Sequence, residues 1–349
     1  NSCRWLMWIN QLSYCYMTGK PYYKFIYILI FKLNKMNKKI LEFITYRMKK
    51  VNQQETLDFN ESSETLRNMT YSFENINLPS HKKKYDTKFL QWFMGFTEGD
   101  GSFMVSKNKV YFDISQNIED MQMLYYMKKE LGFGKVLLRK ELDRRVGVFY
   151  VTGKENFLRL MHIFNGNTCT EYKNNQFKAW MDCFNLQYKE QMMWKKNLMI
   201  LTLDNAWLSG FTDAEGSFYG RVKVSKSNML GKQPMTTFSI TQKSLQIINM
   251  MKELFLGKNT KFSNVRYDPS WEGWEFHCSS ISNLNIMKTY FFKFPLKTKK
   301  YRSFTKWTKM HQMLLDKKHL TKEGLNIMEQ EMKLINKNNK LKMKSDPPS

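Results

Sequence analysis

Residues 92–103 read Trp92-Phe-Met-Gly-Phe-Thr-Glu-Gly-Asp-Gly-Ser-Phe103, and residues 207–218 read Trp207-Leu-Ser-Gly-Phe-Thr-Asp-Ala-Glu-Gly-Ser-Phe218. The two stretches begin 115 residues apart, seven of their twelve positions are identical, and two more exchange Glu with Asp. Two shorter segments also recur: Ile114-Ser-Gln116 as Ile240-Thr-Gln242, and Gln176-Phe-Lys-Ala-Trp180 as Ser303-Phe-Thr-Lys-Trp307. Repetition at a domain-sized interval predicts two copies of one domain.

The repeats and the distribution of charge divide the chain into six segments. We predict a basic N-terminal extension at 1–50, a polar acidic linker at 51–85, a first domain at 86–190, a connector at 191–203, a second domain at 204–315 and a basic helical C-terminal tail at 316–349. The extension has a net charge of +9, residues 51–79 have −4, and the rest of the chain has +20. The basic character therefore belongs mainly to the two copies.

Each copy has the same predicted order: helix, two strands, helix, two strands, helix. Phe89, Trp92, Phe93 and Phe96 follow the i, i+3, i+4, i+7 spacing of one apolar helix face. The glycine that closes each long repeat is a usual helix stop. After it, Arg221-Val-Lys-Val-Ser225 alternates polar with apolar residues, as a strand with one buried face does.

The composition indicates a globular protein with a polyanionic partner. The 349 residues carry a formal net charge of +25, and 42% of them are hydrophobic, which is enough to build cores. A mean hydropathy of −0.56 and the lack of a long apolar run exclude a membrane span. The five cysteines form no CxxC pair, which argues against a zinc cluster or a disulfide framework.

Asp100 and Glu215 stand where the two repeated helices are predicted to stop, next to free carbonyls and the negative end of the helix dipole. Gly95 and Gly210, midway along these helices, have no side chain to hold two backbones apart. If the helices pair through the glycines, both carboxylates reach one end of the pair. Two hard oxygen ligands suit Mg²⁺, which supports phosphodiester hydrolysis.

Phe93-Met-Gly-Phe-Thr-Glu-Gly-Asp-Gly101 and Leu208-Ser-Gly-Phe-Thr-Asp-Ala-Glu-Gly216 both resemble the LAGLIDADG motif. Over about residues 86–315 the chain resembles the single-chain, two-motif LAGLIDADG homing endonucleases and maturases encoded in organellar introns. The resemblance implies an α+β fold of two pseudo-symmetric domains, αββαββα each. Their saddle-shaped antiparallel sheets would flank the paired motif helices.

The resemblance also implies roles for individual residues. Asp100 and Glu215 match the metal ligands, and Mg²⁺ or Mn²⁺ is the expected cofactor. Gln116 and Gln242 match a glutamine near the scissile phosphate. Glu98 and Asp213, two residues before the ligands, are expected to play a supporting role as caps or as contacts behind the ligands.

Lys299 is the best match to the lysine that the family places in its active site. A cation there would polarise water or stabilise the phosphate. The alternative is a solvated lysine in a run of charges. The first copy has Tyr172 at the equivalent position, with Lys173 next to it, which predicts an asymmetric site.

The polar faces of the strands are predicted to form the nucleic-acid surface, because a two-stranded ribbon fits the major groove and Arg and Lys read guanine. The candidates are the basic residues on or near these strands: Lys107, Lys109, Arg139, Arg144, Arg145, Arg221, Lys223 and Arg266.

Three functions fit these features. The first is a site-specific double-strand DNA endonuclease that promotes intron mobility, and intact acids in both motifs favour it. The second is a maturase that binds its host intron RNA and assists splicing, alone or as a dual function. The third is an inactive DNA-binding relic. The expected protein is a monomer without a membrane span, encoded by an AT-rich organelle genome and located in the mitochondrial matrix.

Overall fold

A computed structural model describes residues 71, 73, 76–141, 144–195, 200–257 and 264–336. The predicted extension at 1–50 and most of the linker at 51–85 lie outside the described residues. None of the described helices has the length and apolar character needed to cross a membrane.

The first half follows the predicted order and ends in two helices. Its elements are α1 (Thr87–Asp100), β1 (Gly101–Ser106), β2 (Lys109–Asn117), a 3-10 turn (Ile118–Asp120), α2 (Met121–Leu131), β3 (Lys135–Glu141), β4 (Arg144–Val151), α3 (Lys154–Phe164) and α4 (Glu171–Tyr188).

The second half repeats that order and adds a short helix. Its elements are α5 (Trp207–Glu215), β5 (Gly216–Val224), β6 (Lys232–Gln242), α6 (Leu245–Leu256), β7 (Val265–Asp268), β8 (Gly273–Cys278), α7 (Ile281–Lys293), α8 (Lys300–Leu315), a 3-10 turn (Lys318–Leu320) and α9 (Lys322–Met332). The α+β class with two equivalent domains is confirmed. Among the described residues the first half carries one helix more than the sequence pattern predicts and the second half two more, the last of which lies in the predicted C-terminal tail.

Each half contains one antiparallel four-stranded sheet. The strand orders are β1-β2-β4-β3 and β5-β6-β8-β7, so the two sheets have the same topology. Helices cover one face of each sheet: the ring of Phe103 lies 5.2 Å from that of Phe177 in α4, and the ring of Phe218 lies 5.5 Å from that of Trp307 in α8. We call the opposite face, where the intervening side chains of each strand point, the open face.

The motif helices α1 and α5 pack against each other, backbone to backbone. A Cβ on Gly95 would overlap the carbonyl oxygen of Trp207, and a Cβ on Gly210 would overlap that of Trp92. One turn later, a Cβ on Gly99 would overlap the Cβ of Ala214. Since only small residues permit this approach, the two glycine-containing sequences determine where the helices cross. The predicted pairing through the motif helices is confirmed.

The end of the predicted linker packs on the first half. Tyr71, Phe73 and Ile76 are partly buried against the core. The hydroxyl of Tyr85 donates to the carbonyl of Leu131 at 3.0 Å, and Arg159 Nε donates to the carbonyl of Asn77 at 2.6 Å. The prediction of a linker that extends to residue 85 is therefore wrong for this last part. A few apolar residues in a polar stretch suffice to anchor the segment on the first half.

The first part of the predicted C-terminal tail is integrated into the second half. Met328 and Met332 of α9 are buried in the core, and Met332 lies directly over Gly220 of β5. Lys232 Nζ and Glu329 Oε2 form an ion pair at 2.7 Å. The helical character that was predicted for the tail is present, while residues 337–349 lie outside the described part of the chain.

Candidate functional site

Two carboxylates, one from each half, stand at the same end of the helix pair. Asp100 is the last residue of α1 and Glu215 the last residue of α5, and each is followed directly by a strand of its own sheet. A glutamine from the neighbouring strand contacts each of them. Gln116 Nε2 donates to Asp100 Oδ2 at 2.6 Å, and Gln242 Nε2 donates to Glu215 Oε1 at 3.0 Å. The structure thus assembles four predicted site residues in two equivalent pairs.

The pKa values of both carboxylates are raised, chiefly because the groups are buried. Burial, together with the nearby charge of Asp100, raises the pKa of Glu215 to about 7. Burial also raises the pKa of Asp100, against the lowering effects of the Gln116 hydrogen bond and of Lys300. A positive charge placed near such partly desolvated carboxylates stabilises their ionised forms.

Two lysines supply positive charge at the ends of the motif helices. Lys173 Nζ donates to the carbonyl of Gly101 at 2.6 Å. Lys300 Nζ donates to the carbonyl of Ala214 at 2.6 Å and to that of Thr212 at 3.2 Å. Burial lowers the pKa of both lysines, and attraction to Asp100 and Glu215 opposes that shift. Both side chains therefore lie within the electrostatic field of the carboxylates.

Lys299, the lysine that we predicted for the site, lies elsewhere. Its Nζ contacts Glu119 Oε2 at 3.0 Å and Asp120 Oδ2 at 3.2 Å, in the 3-10 turn of the first half. The lysine beside the carboxylates is Lys300, one residue later, because the chain turns into α8 there. Its equivalent in the first half is Lys173, and not Tyr172, which is 69% exposed. The predicted asymmetry of the lysines is therefore wrong.

The sequence contained a signal for these two lysines. Trp180 and Trp307 are equivalent in the repeat, and Lys173 and Lys300 each stand seven residues before one of them. Aligning the two copies on the tryptophans pairs a lysine with a lysine. Three lysines between 297 and 300 make the assignment ambiguous when this short stretch is considered without the first copy.

Glu98 and Asp213 lock the two halves together from inside. Glu98 accepts hydrogen bonds from Trp207 Nε1 and the Cys169 amide at 2.8 Å and from the Thr170 amide at 2.7 Å. Each acid is buried, so these donors stabilise a charge that would otherwise be costly.

Asp213 repeats this arrangement in the second half. It accepts from Trp92 Nε1 at 2.8 Å, from the Lys297 amide at 2.7 Å and from the Thr298 hydroxyl at 2.6 Å. Each acid thus joins the tryptophan of the other motif helix to the residues that directly precede α4 or α8 in its own half. Lys173 lies in the first turn of α4, and Lys300 is the first residue of α8.

The donor set fits a hard divalent cation. Among the described residues, no group of three or more His, Cys, Asp and Glu side chains surrounds a common point. Asp100 and Glu215 could supply two carboxylate ligands to such a cation, and they would leave its other positions to main-chain carbonyls, water or substrate. Mg²⁺ retains several non-protein ligands in just such sites, whereas a structural zinc site needs four protein ligands.

Five of the eight predicted nucleic-acid contacts lie at exposed positions on the open faces. In strands, alternate residues share a face, and counting from the buried Phe112, Phe149, Phe218 and Phe276 places these five on the open side. They are Lys109 and Arg139 in the first half and Arg221, Lys223 and Arg266 in the second.

The other three predicted contacts have different positions. Lys107 lies in the turn between β1 and β2, with a positive φ of 49°. Arg145 has the same strand parity as Phe149 and so lies on the helix-covered side of β4, at an exposed position. This residue therefore does not belong to the open face. Arg144 begins β4.

The sequence profile described as LAGLIDADG endonuclease matches residues 93–184 and 208–311, which are the two halves that carry these sites. The chain belongs to the LAGLIDADG endonuclease family.

Named relatives of this LAGLIDADG protein are intron products. "Probable intron-encoded endonuclease 4" of Neurospora crassa is 38% identical over 251 residues, covering 71% of this chain and 44% of that protein. "Uncharacterized cox1 intron-2 37.2 kDa protein" of Schizosaccharomyces pombe is 28% identical over 276 residues, covering 76% of this chain and 78% of that protein. "Intron-encoded RNA maturase bI4" of Saccharomyces cerevisiae is 29% identical, covering 62% and 31%. The chain thus spans less than half of the length of the first and the third of these relatives.

Solved structures of LAGLIDADG proteins have the same fold. The meganuclease I-SmaMI bound to uncleaveable DNA superposes with a TM-score of 0.59 at 19% identity, covering 72% of this chain and 100% of that one. The I-LtrWI LAGLIDADG homing endonuclease bound to target DNA gives 0.55 at 20% identity, covering 73% and 100%. At these identities the likeness establishes the fold alone.

Proposed function

We propose that this protein is a site-specific double-strand DNA endonuclease that cuts by metal-dependent phosphodiester hydrolysis. One observation carries the proposal: the motif helices bring one carboxylate from each half to the same end of the helix pair, with a glutamine bonded to each and a lysine bonded to the main chain beside each. A duplex has two strands to cut, and two equivalent sets of side chains match that requirement.

Asp100 and Glu215 are the residues that would hold the cation, for which Mg²⁺ or Mn²⁺ has the preferred oxygen chemistry. The cation supplies a Lewis acid that activates water and stabilises negative charge on the leaving oxygen. The glutamine amides fix the orientation of the two carboxylates through their hydrogen bonds. Lys173 and Lys300 stabilise the extra negative charge on the phosphate as it is attacked.

The open faces and the net charge account for DNA binding. Arg221, Lys223 and Arg266 project from the second sheet, and Lys109 and Arg139 from the first, on both sides of the carboxylates. Lysine and arginine contacts to phosphates provide affinity, and side chains on the strands reach base edges in the major groove. Because one chain supplies both carboxylates and both sheets, we propose that it acts as a monomer.

A maturase function is the second candidate, alone or in addition. The relative of Saccharomyces cerevisiae that is named an intron-encoded RNA maturase favours it. A maturase needs the basic surface but not the paired acids, so RNA binding would survive their removal. Relatives named as intron-encoded proteins, one of them from a cox1 intron, also support an organelle-encoded mitochondrial product, and we propose the matrix as its location.

The test uses the full chain, since residues before 86 pack on the first half. It is incubated with the intron-less allele of its host gene and Mg²⁺, and the ends are mapped. We expect one double-strand break near the intron insertion site, which EDTA prevents and which Ca²⁺ supports poorly. Tight binding without cleavage would instead indicate the relic, and selective binding of the intron RNA without cleavage would indicate the maturase.

A further inference from the structure

We infer that the second half contacts DNA about three base pairs further from the cut than the first half does, and that helix α9 supports the strands that make this longer contact. This inference rests on the proposed function and describes its substrate, whose recognised sequence is longer on one side of the cut. Its basis is the first hairpin of each sheet. We call β1 with β2 the first hairpin and β5 with β6 the second hairpin.

The two hairpins start at equivalent points and differ in length. β1 and β5 each begin directly after the carboxylate that ends a motif helix, so both strands run outward from the cutting centre. β1 has six residues, whereas β5 has nine. Three more residues lengthen a strand by about 10 Å, which is the rise of about three base pairs in B-DNA.

The longer part of the second hairpin extends beyond the rest of its sheet. Phe238 is the first residue of β6 that also pairs with β8, as Phe112 is the first residue of β2 that also pairs with β4. The residues of β6 from 232 to 237 therefore pair with β5 alone. A two-stranded ribbon is marginally stable by itself in water, so these residues need packing from another element.

Helix α9 supplies that packing. Gly220 is the fifth residue of β5, and a Cβ there would come within 2.6 Å of Met332 Cγ in α9. The fifth residue of β1 is Val105, which is 47% exposed. Among the described residues of the first half, no helix follows α4. The same strand position is therefore covered by a helix in the second half and open in the first.

Polar contacts join α9 and the residues after it to both strands of the second hairpin. Glu329 Oε2 of α9 and Lys232 Nζ of β6 form an ion pair at 2.7 Å. Asn336 Nδ2 donates to the carbonyl of Phe218 in β5 at 3.0 Å, and Asn336 Oδ1 accepts from Ser303 Oγ of α8 at 2.8 Å. Because these contacts fix the direction of the hairpin before DNA binds, less ordering is left to the binding step.

The outer part of the second hairpin carries groups that can bind DNA. Lys223 and Gln233 are exposed cross-strand partners on the open face, and Lys226 is exposed in the turn between the strands. The turn is closed by a hydrogen bond of 2.9 Å from the Ser225 amide to the Gly231 carbonyl. Lysine binds phosphates, and the amide of glutamine matches the major-groove edge of adenine. The longer strands therefore add contacts as well as length.

The test measures how far from the cut the full chain depends on its target on each side. Duplexes that contain the intron insertion site are shortened one base pair at a time from either end, and their affinity for the full chain is measured in Ca²⁺. We expect the affinity to begin falling about three base pairs earlier on one side. Removing those base pairs should weaken binding at least about 10-fold, whereas removing base pairs at the same distance on the other side should change it less than about 2-fold.

Two variants assign the longer side to the second hairpin. Lys223→Met removes an exposed charge and should reduce that penalty to about 3-fold or less. Gly220→Val installs the residue of the first half where Met332 lies, so it should displace α9 and reduce the penalty as well. Val105→Gly, at the equivalent open position, is the matched control and should leave the difference between the two sides unchanged.

The duplex series with unaltered protein keeps the test independent of how the variants fold. Equal dependence on both sides, or an unequal dependence that Lys223→Met does not reduce, would overturn the inference. An undiminished penalty in Gly220→Val would overturn the supporting role of α9. Failure of the unaltered chain to prefer any duplex with the insertion site over unrelated DNA would overturn the proposed function itself.

Discussion

Near the helix pair the two halves of the molecule make the same contacts, and far from it they do not. Trp92 donates to Asp213, and Trp207 donates to Glu98, both at 2.8 Å. At the periphery, Lys299 bridges to Glu119 and Asp120 across the halves, while the equivalent Tyr172 is exposed. In the helix pair each contact between the halves is made twice, once from either side, whereas the contact that Lys299 makes with the other half is present on one side only.

The difference extends into the cores. Trp180 stacks on Phe184 in the first half, and Trp307 stacks on His311 in the second, with ring centroids 6.3 Å and 5.3 Å apart. The same helix position therefore carries a hydrocarbon ring in one half and a titratable ring in the other. At central positions, the same substitution made in either half should therefore have the same effect. At peripheral positions, the effects of such paired substitutions should differ.

The largest effect is expected for the central lysines. Lys300→Met should lower the cleavage rate about 10²- to 10³-fold, as the loss of a charge-stabilising donor does, and Lys173→Met should match it. Lys299→Met is the control, because its ion pairs are partly solvated and worth little. Its cleavage rate should stay within a few-fold of the original, measured in single-turnover assays on bound DNA. A greater loss for Lys299→Met than for Lys300→Met would restore the sequence-based assignment.

The next effect concerns the crossing of the helices. Gly95→Leu and Gly210→Leu each place a side chain where two backbones touch, so the helix ends that carry Asp100 and Glu215 must separate. A displacement of about 1 Å is enough for a loss on the order of 10²-fold in rate. Even Gly95→Ala should impair cleavage, because the added Cβ already overlaps Trp207. Gly257→Ala meets no neighbouring atoms but is strained by the positive φ of 79° at that position, so it controls for a general loss of stability that leaves the helix ends in place.

Full activity in Gly210→Leu would contradict the packing described for this pair. Equal losses for the two leucine variants would support the symmetry of the centre.

Much of this centre could be predicted from the sequence, because it is encoded twice. The duplicated motif predicts α1, α5, Asp100 and Glu215, and the resemblance to the LAGLIDADG family adds Gln116 and Gln242. Lys300 could not be distinguished from Lys299 in the same way, since their separation depends on where α8 begins. The strand parity of Arg145 and the anchoring role of Tyr71 depend on register and on long-range packing, which local patterns do not contain.

A third prediction concerns the indole hydrogen bonds. Trp92→Phe and Trp207→Phe each remove one donor from a buried carboxylate, which should cost about 1–3 kcal/mol of unfolding free energy. The two losses should agree, because the two contacts have the same length and each carboxylate keeps its main-chain amide donors. Chemical denaturation of the metal-free chain measures both. If one variant lost more than twice as much unfolding free energy as the other, the two indole hydrogen bonds would not be energetically equivalent.

The smallest effect is expected at His311. Burial, with a further contribution from the charge of Lys288, lowers the pKa of its imidazole to about 4. Within the described residues, His311 Nε2 has no hydrogen-bond partner, and Nδ1 lies 3.3 Å from Thr236 Oγ1. The unfolded chain therefore binds the proton more readily, so stability is complete above about pH 6.5 and falls as the pH decreases towards 4.

His311→Phe installs the residue that stands at the equivalent place in the first half. It should remove this component of acid sensitivity, on the order of 1–3 kcal/mol between pH 6.5 and 4. Thermal melts across that range measure the change. An unchanged pH dependence in His311→Phe would place the acid sensitivity elsewhere.

The most direct test of the central claim compares cleavage with binding in Asp100→Asn and Glu215→Gln. If one carboxylate from each half together forms the cutting centre, each single variant should lose double-strand cleavage and keep its affinity for the target within a few-fold in Ca²⁺. Both variants should behave alike, and EDTA should reproduce them in the original protein. Cleavage that persists in either variant, or binding that is lost together with cleavage, would contradict a centre built jointly by the two halves.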